Sequence, residues 1–105
     1  MAGTSVPLSN IRLRTGEHMV RSLATSPHVI TAIDVDYEMV EKARKAERES
    51  FKRDEGFSLT YLPFISRAVI DALAEFPHMN ATVGDGELLV HSAINLAIAV
   101  DLEFE

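Results

Sequence analysis

The stretch Ile94-Asn-Leu-Ala-Ile-Ala-Val100 decides the fold predicted for this chain. It is almost continuously apolar, which is typical of a strand that is covered on both faces of a sheet. Such a strand also needs a neighbour at each edge to pair its backbone N–H and C=O groups. The residues that follow it are few, and Asp101, Glu103 and Glu105 among them are acidic. We therefore expect another chain, or further sequence, to cover this strand.

Two predicted elements lie directly upstream of this strand. Ala81-Thr-Val83 and Glu87-Leu-Leu-Val90 flank Gly84-Asp-Gly86, a pattern typical of a β-hairpin around an Asp-Gly corner. Before the hairpin, residues 60–77 have a proline in the first turn and apolar side chains at a 3.6-residue period. This period predicts a helix with several buried positions. The apolar stripe comprises Ile65, Ala68, Val69, Ala72, Leu73 and Phe76.

The first half of the chain is predicted to contain two helices and a strand. Ser9 is a plausible N-cap for the first helix, which we expect to end before Pro27. Val29–Val35 is rich in β-branched residues and predicts a strand. Asp36 is expected to cap the second helix, and residues 54–56 to close it. Its predicted outward residues are Glu41, Lys42, Arg44, Lys45, Glu47, Arg48, Glu49 and Lys52.

The composition is that of an ordinary globular protein, with 47% hydrophobic and 25% charged residues among 105. Met1–Pro7 is predicted to be a flexible arm or the end of a linker, and residues 8–105 are predicted to be part of a single domain. A net charge of −6 with dispersed basic residues argues against a nucleic-acid partner. Without a predicted membrane span or signal segment, we expect no membrane partner and a cytoplasmic location. The absence of cysteine excludes disulfides and thiolate metal sites.

The four histidines were considered as candidate site residues. His18 lies on the first predicted helix, and the simplest interpretation is an exposed or half-buried helical residue. His28 is either a hydrogen-bonded corner residue or a site residue, because sites often form at the ends of elements. His78 and His91 have no carboxylate or hydroxyl partner that the sequence spacing makes persuasive. No helical histidine pair and no serine elbow is present, so neither a metal site nor a serine nucleophile is predicted.

Six blocks of the sequence resemble the opening half of the acyltransferase domain of dihydrolipoyl acyltransferases, the core subunits of 2-oxo acid dehydrogenase complexes. The blocks are Pro7-Leu-Ser-Asn-Ile-Arg12, Met19-Val-Arg-Ser22, Ser26-Pro-His-Val29, Leu59-Thr-Tyr-Leu-Pro-Phe64, Phe76-Pro77 followed by Asn80-Ala81, and Asn95-Leu-Ala-Ile-Ala-Val-Asp101. They occur in the family's order and at its spacing over nearly the whole chain. Chloramphenicol acetyltransferase is more distantly similar, notably around Asp85-Gly-Glu-Leu88.

The resemblance implies the fold class and the chemistry. The implied fold is α/β (α+β), the N-terminal half of a chloramphenicol acetyltransferase-like two-layer fold in which helices pack on a mixed sheet. The family transfers an acyl group between dihydrolipoamide and coenzyme A, with a histidine general base and an oxyanion-stabilising hydroxyl. Coenzyme A and lipoamide are therefore the expected substrates, and no metal is expected.

The resemblance also implies which residues this chain contributes. The family's catalytic histidine lies in a later His-x-x-x-Asp-Gly motif, which this chain lacks, so no catalytic residue is predicted here. His28 and Ile30 are the expected substrate-channel residues. Gly16 and His18 depart from the family pattern in the first helix. The expected partners are copies of the chain in a trimer-based core or the missing C-terminal half, together with other subunits of the dehydrogenase complex.

Two alternatives remain open at this point. The chain is alternatively a non-catalytic assembly module that docks Ile94–Val100 on a partner, because exposed strand edges recruit other chains. A further reading is a complete small α/β ligand-binding domain unrelated to the acyltransferases. On the leading reading the chain is inactive alone, and the sequence does not indicate which acyl group the parent enzyme transfers.

Overall fold

The computed structural model describes residues 2–103. The first residue of the predicted arm, Met1, and the end of the predicted domain, Phe104 and Glu105, lie outside the described residues. The chain divides into two units. One contains the residues up to Asp34 together with those from Val100 onward, and the other is Val35–Ala99. Each unit is described by itself below.

Helix α1 spans Asn10–Thr25 in the first unit. Ser9 caps it as predicted, because the Ser9 hydroxyl oxygen accepts a hydrogen bond from the Arg12 backbone N–H at 3.3 Å. The helix ends before Pro27, where the Ser26 N–H donates to the Ser22 carbonyl at 3.0 Å. Both predicted ends of this helix are confirmed.

Helix α2 spans Glu38–Glu55 in the second unit. The N-cap position of this helix is Tyr37, one residue after the predicted cap Asp36. The Asp36 carboxylate nevertheless accepts from the Glu38 N–H at 2.9 Å and so satisfies the first N–H of the helix. Gly56 ends the helix in the left-handed region, with φ of 84°, a conformation that glycine adopts without steric cost. The last turn carries Lys52 and Arg53, which complement the negative end of the helix dipole.

Helix α3 spans Leu62–Glu75 and is followed by a single 3-10 turn at Pro77–Met79. The predicted apolar stripe differs from the observed packing, because Ile65, Val69 and Phe76 are 39%, 37% and 60% exposed. The half-buried residues of the helix are Phe64, Ser66, Ile70 and Leu73. One face of the helix is therefore half-buried. Its other apolar side chains are not covered by any element among the described residues.

The predicted hairpin is confirmed. Strands β1, Ala81–Val83, and β2, Leu88–Val90, pair antiparallel, with Ala81 opposite Val90. The Gly84 N–H donates to the Glu87 carbonyl at 2.8 Å across the turn. Gly86 has a φ of 72°, which glycine tolerates because it lacks a Cβ atom.

The two predicted longer strands are not formed among the described residues. Residues 29–35 and 94–100, where these strands were predicted, contain no strand, and the sheet within residues 2–103 consists of β1 and β2. A strand exists through hydrogen bonds to a neighbour, and a β-branched or apolar sequence cannot supply that neighbour by itself. These two predictions were therefore wrong for this chain alone.

Within residues 2–103, only one apolar side chain is buried. Leu59 is 8% exposed, whereas large apolar residues in both units remain open to solvent. Ile30 and Val29, for example, are 93% and 87% exposed, and Val100 is 74% exposed. Exposed apolar surface on this scale marks surface that is available to other polypeptide.

Candidate functional site

The predicted site residue His28 forms a hydrogen-bonded pair with Ser22. Ser22 lies in the last turn of α1, where its carbonyl accepts the hydrogen bond that ends the helix. Beyond the helix end, the chain turns at Pro27 and places the His28 ring Nε2 3.3 Å from the Ser22 hydroxyl oxygen. The pair is local, because a helix end and a proline bring together two residues six positions apart. The structure therefore shows His28 hydrogen-bonded at the corner, and its role as a substrate-channel residue stays a prediction.

The Ser22–His28 pair borders a shallow depression of about 260 Å³ in the first unit. Its lining consists of His18, Met19, Ser22, Leu23 and His28. Met19 and Leu23 are 60% and 74% exposed, so their apolar atoms are accessible from solvent. The lining thus combines two imidazoles and one hydroxyl with two flexible apolar side chains.

His18 is held by a neighbour on the same helix. The Arg21 guanidinium lies 3.1 Å from the His18 Nδ1, one helical turn away. A guanidinium can only donate, so the His18 Nδ1 is the acceptor in this contact. The expectation that His18 is an exposed or half-buried helical residue is confirmed.

The second predicted channel residue, Ile30, is not brought to this depression. Its side chain is 93% exposed and is absent from the lining. Sequence reasoning missed Ser22 as a partner of His28. A serine in the last turn before Ser-Pro-His was the available signal, because the proline forces the chain out of the helix at that point.

A second polar cluster joins α2 to the residues before α3. The Arg44 guanidinium donates to both carboxylate oxygens of Glu41, at 2.6 and 2.8 Å, and to the Leu59 carbonyl at 3.3 Å. The Tyr61 hydroxyl donates to the same Glu41 carboxylate, and the guanidinium lies 5.2 Å from the Tyr61 ring centroid. Tyr37 packs edge-on against Tyr61 at 5.6 Å. Arg44 and Glu41 are therefore half-buried, and not outward residues as predicted.

The contacts within this cluster change the acidity of its members. The hydrogen bonds from Arg44 and then Tyr61 lower the pKa of Glu41 to about 2, because they stabilise the carboxylate. The Glu41 carboxylate in turn raises the pKa of Arg44. It also raises the pKa of Tyr61, because the protonated phenol is its hydrogen-bond donor. The cluster is charged and fully paired at neutral pH, as expected for contacts that hold α2 to the residues before α3.

A third group lies beside the hairpin. The Thr82 hydroxyl oxygen and the His91 Nε2 are 2.8 Å apart, a partner for His91 that the sequence spacing did not indicate. The antiparallel pairing of β1 and β2 brings these residues together across nine positions, which linear spacing did not indicate. The Asn80 side-chain amide donates to the Ala93 carbonyl at 2.9 Å. These hydrogen bonds hold the chain in place around the hairpin.

Within residues 2–103, no group of three or more His, Asp or Glu side chains is placed to hold a metal ion. None of the described helices combines the length and apolar character needed to cross a bilayer.

Among residues 2–103, the geometry supplies a hydrogen-bonded histidine in an open depression but no complete catalytic set. Similarity to known proteins identifies the family. Residues 2–104 match the family described as 2-oxoacid dehydrogenases acyltransferase (catalytic domain). The chain belongs to this family. The alternative of an unrelated ligand-binding domain is therefore wrong.

Curated members of the acyltransferase family cover different acyl groups. The chain is 36% identical, over 93% of its length, to the lipoamide acyltransferase component of the branched-chain alpha-keto acid dehydrogenase complex of Bacillus subtilis. It is also 36% identical, over 96% of its length, to the dihydrolipoyllysine-residue acetyltransferase component of the pyruvate dehydrogenase complex of Corynebacterium glutamicum. It spans 23% and 15% of the lengths of these two relatives.

A solved structure supports the fold. The chain is similar to the crystal structure of a probable dihydrolipoamide acetyltransferase from Listeria monocytogenes, with a TM-score of 0.79 and 34% identity. The match covers 86% of this chain and 38% of that chain. The fold class predicted from the sequence, part of an α/β acyltransferase domain, is confirmed.

Proposed function

We propose that this chain forms part of an acyltransferase that moves an acyl group between dihydrolipoamide and coenzyme A in a 2-oxo acid dehydrogenase complex. The observation that carries the proposal is the family match over residues 2–104. The names of the relatives agree, since each is the acyltransferase component of such a complex. Coenzyme A and lipoamide are the proposed substrates, with no metal.

The proposed contribution of this chain is to substrate binding and not to the chemical step. None of its four histidines is followed by Asp and Gly in the family's His-x-x-x-Asp-Gly pattern. We place His28 and Ile30 in the wall of the substrate channel. Both side chains are exposed, which leaves them free to contact a substrate or another part of the enzyme.

The proposed setting is a cytoplasmic complex built on trimers of the acyltransferase, with the other subunits of the dehydrogenase as partners. The large exposed apolar side chains favour contacts of this kind, because the free energy falls when another polypeptide covers such residues and removes them from water.

A chimeric enzyme tests the proposed function directly. The 98 residues of the B. subtilis lipoamide acyltransferase component that align with this chain are replaced by the corresponding residues of the chain. We expect the chimera to transfer an acyl group from acyl-coenzyme A to dihydrolipoamide, whereas the 105-residue chain alone gives no turnover. A chimera that folds and assembles like the parent but is inactive would contradict the proposal.

Variants of the chimera test the channel residues. His28→Ala is expected to reduce kcat/KM about fivefold to tenfold, the equivalent of about one lost hydrogen bond. His78→Ala is the matched control, because His78 is also exposed but lies in the 3-10 turn and has no proposed contact with substrate. Equal effects of the two substitutions on kcat/KM would contradict the placement of His28 in the channel.

The alternative function, a non-catalytic assembly module, is favoured by one observation. In the apolar segment 94–100, Leu96, Ile98 and Val100 are 43%, 54% and 74% exposed. If this segment docks on a copy of the chain, sedimentation in dilute solution should give an oligomer that Ile98→Lys dissociates. A monomer at all concentrations would count against this function.

A further inference from the structure

A depression of about 360 Å³ lies between α2 and the start of α3, within the second unit. Its apolar part includes buried Leu59 and half-buried Phe51 and Phe64. Its charged part consists of three carboxylates. The volume lies within the range usual for ligand pockets. The full lining is Ala43, Glu47, Ser50, Phe51, Asp54, Glu55, Leu59 and Phe64.

Every polar side chain of this lining offers hydrogen-bond acceptors. The ionised carboxylates of Glu47, Asp54 and Glu55 can only accept. The Ser50 hydroxyl donates its hydrogen to the Glu47 backbone carbonyl at 3.0 Å, so its oxygen has only lone pairs left to offer. A ligand that matches this lining therefore carries hydrogen-bond donors and a positive charge.

Two of the three carboxylates are available to such a ligand. Asp54 is paired with Arg53 at 3.8 Å. Within residues 2–103, neither Glu47 nor Glu55 forms an ion pair. These two residues are eight positions apart on α2 with Phe51 midway, and this spacing places all three on one face of the helix. The Phe51 ring therefore lies between two carboxylates that have no cation.

We propose that this depression binds an arginine side chain in a basic peptide segment of a partner protein. A guanidinium has five donors and no acceptor, which matches the acceptor-only lining, and it donates to Glu47 and Glu55. The methylene stem and the planar face of the guanidinium pack on Phe51 and Phe64. This inference does not depend on the proposed acyl transfer.

Two observations favour a peptide over free arginine. Free arginine carries an α-carboxylate of its own, which the carboxylates of the lining would repel, whereas an arginine within a peptide does not. Apolar surface also continues beyond the depression, because Phe57 packs edge-on against Phe51 at 5.3 Å and is 61% exposed. An apolar residue beside the arginine can cover Phe57. The net charge of −6 further favours the approach of a basic segment.

An NMR titration of the full 105-residue chain tests the inference. The probe is the blocked peptide acetyl-Gly-Leu-Arg-Leu-Gly-amide, and the matched control replaces its arginine with citrulline, which has the same shape but no charge. We expect the arginine peptide to shift the Phe51 ring and Leu59 methyl signals saturably, with a Kd of about 1 mM or tighter. The citrulline peptide should bind about tenfold more weakly, because it lacks the charge-assisted hydrogen bonds. No saturable shift, or equal binding of the two peptides, would overturn the inference.

Charge variants of α2 test the location of the site. The double variant Glu47→Gln, Glu55→Gln should weaken binding of the arginine peptide about tenfold, because each exposed ion pair that is lost is equivalent to about threefold. Glu49→Gln is the control, since Glu49 lies on the same helix but lines a different depression with Arg48 and Lys52. It should change the Kd less than about twofold. Equal weakening per charge removed would mean general attraction to an acidic chain and would overturn the site.

A variant of Phe57 separates a peptide site from a site for a small cation. Phe57→Ala should weaken the arginine peptide about threefold, because the peptide loses an apolar contact, and Phe57→Leu should restore most of the affinity. Methylguanidinium lacks the flanking residues, so its binding should be weaker than that of the peptide and the same in the parent and in Phe57→Ala. Helix content by circular dichroism checks the fold of each variant. Methylguanidinium binding as tight as that of the arginine peptide would show a cation site only and would overturn the assignment of a peptide.

Discussion

The α2 cluster and the His28 depression differ in how far each completes its own contacts. In the cluster, Glu41, Arg44 and Tyr61 satisfy one another, and Leu59 beside them is the one buried apolar residue among those described. In the depression, the Ser22–His28 pair is formed but Met19 and Leu23 stay exposed. The α2 cluster therefore stabilises the fold by linking two elements. The His28 depression leaves apolar surface that a partner or ligand could contact.

Truncation of an apolar side chain should show the largest difference in stability between the two regions. Leu59→Ala should lower the free energy of unfolding by about 2–3 kcal/mol, since it removes a buried side chain and leaves a cavity. Leu23→Ala removes the same atoms from a side chain that is 74% exposed and should cost less than about 0.5 kcal/mol. Urea unfolding followed by circular dichroism measures both. Equal losses would show that the two regions do not differ in burial.

Two glycines, one in each region, should respond to alanine substitution with opposite changes in stability, because their backbone conformations differ. Gly16 lies inside α1, and a Cβ atom added there would meet nothing within 4 Å, so Gly16→Ala should stabilise this helix by about 0.5–1 kcal/mol. Gly56 ends α2 with a φ of 84°, so Gly56→Ala should destabilise the chain by about 1 kcal/mol. Thermal unfolding of both variants checks the opposite signs, and a shared sign would contradict the assigned backbone roles.

The dependence of stability on pH should show a smaller difference between the two regions, because only the α2 cluster contains a carboxylate with a lowered pKa. The pKa of Glu41 falls from 4.5 to about 2 in the folded chain, through its hydrogen bonds with Arg44 and Tyr61. Its contribution to stability is therefore complete above about pH 4.5 and is lost as the pH falls toward 2. Urea unfolding between pH 5 and pH 2 should show this loss, and Glu41→Gln should reduce it.

Glu38 provides the control for the pH experiment. Its side chain is 71% exposed and pairs with Lys42 at 3.8 Å, so Glu38→Gln should leave the pH profile of the parent chain nearly unchanged. A profile that is identical in the parent and in Glu41→Gln would contradict the structural role of the Glu41 carboxylate.

The sequence predicted the elements that local chemistry determines. The Ser9 cap, the hydrogen bond from Asp36 to the start of α2, the end of α2 within residues 54–56 and the hairpin turn depend on residues close together in the chain, and each was found. The strands at 29–35 and 94–100 were not, because strand formation requires a neighbouring backbone that residues 2–103 do not provide there.

The same distinction applies to the candidate site. His28 was predicted from its position at a helix end and from the family resemblance, but its partner Ser22 depends on the path of the chain around Pro27. Tyr61 and Glu41 are 20 positions apart, and the pairing of Thr82 with His91 requires the hairpin register. Contacts of this kind follow from tertiary structure, so a single sequence does not reveal them.

Hydrogen exchange tests the central claim that residues 29–35 and 94–100 have no strand partner among residues 2–103. In the 105-residue chain near neutral pH, we expect the amides of residues 29–35 and 94–100 to exchange rapidly and those in the interior of α2 to exchange more slowly. Protection of residues 94–100 equal to that of α2 would mean that the chain closes its own sheet, and this result would contradict the account.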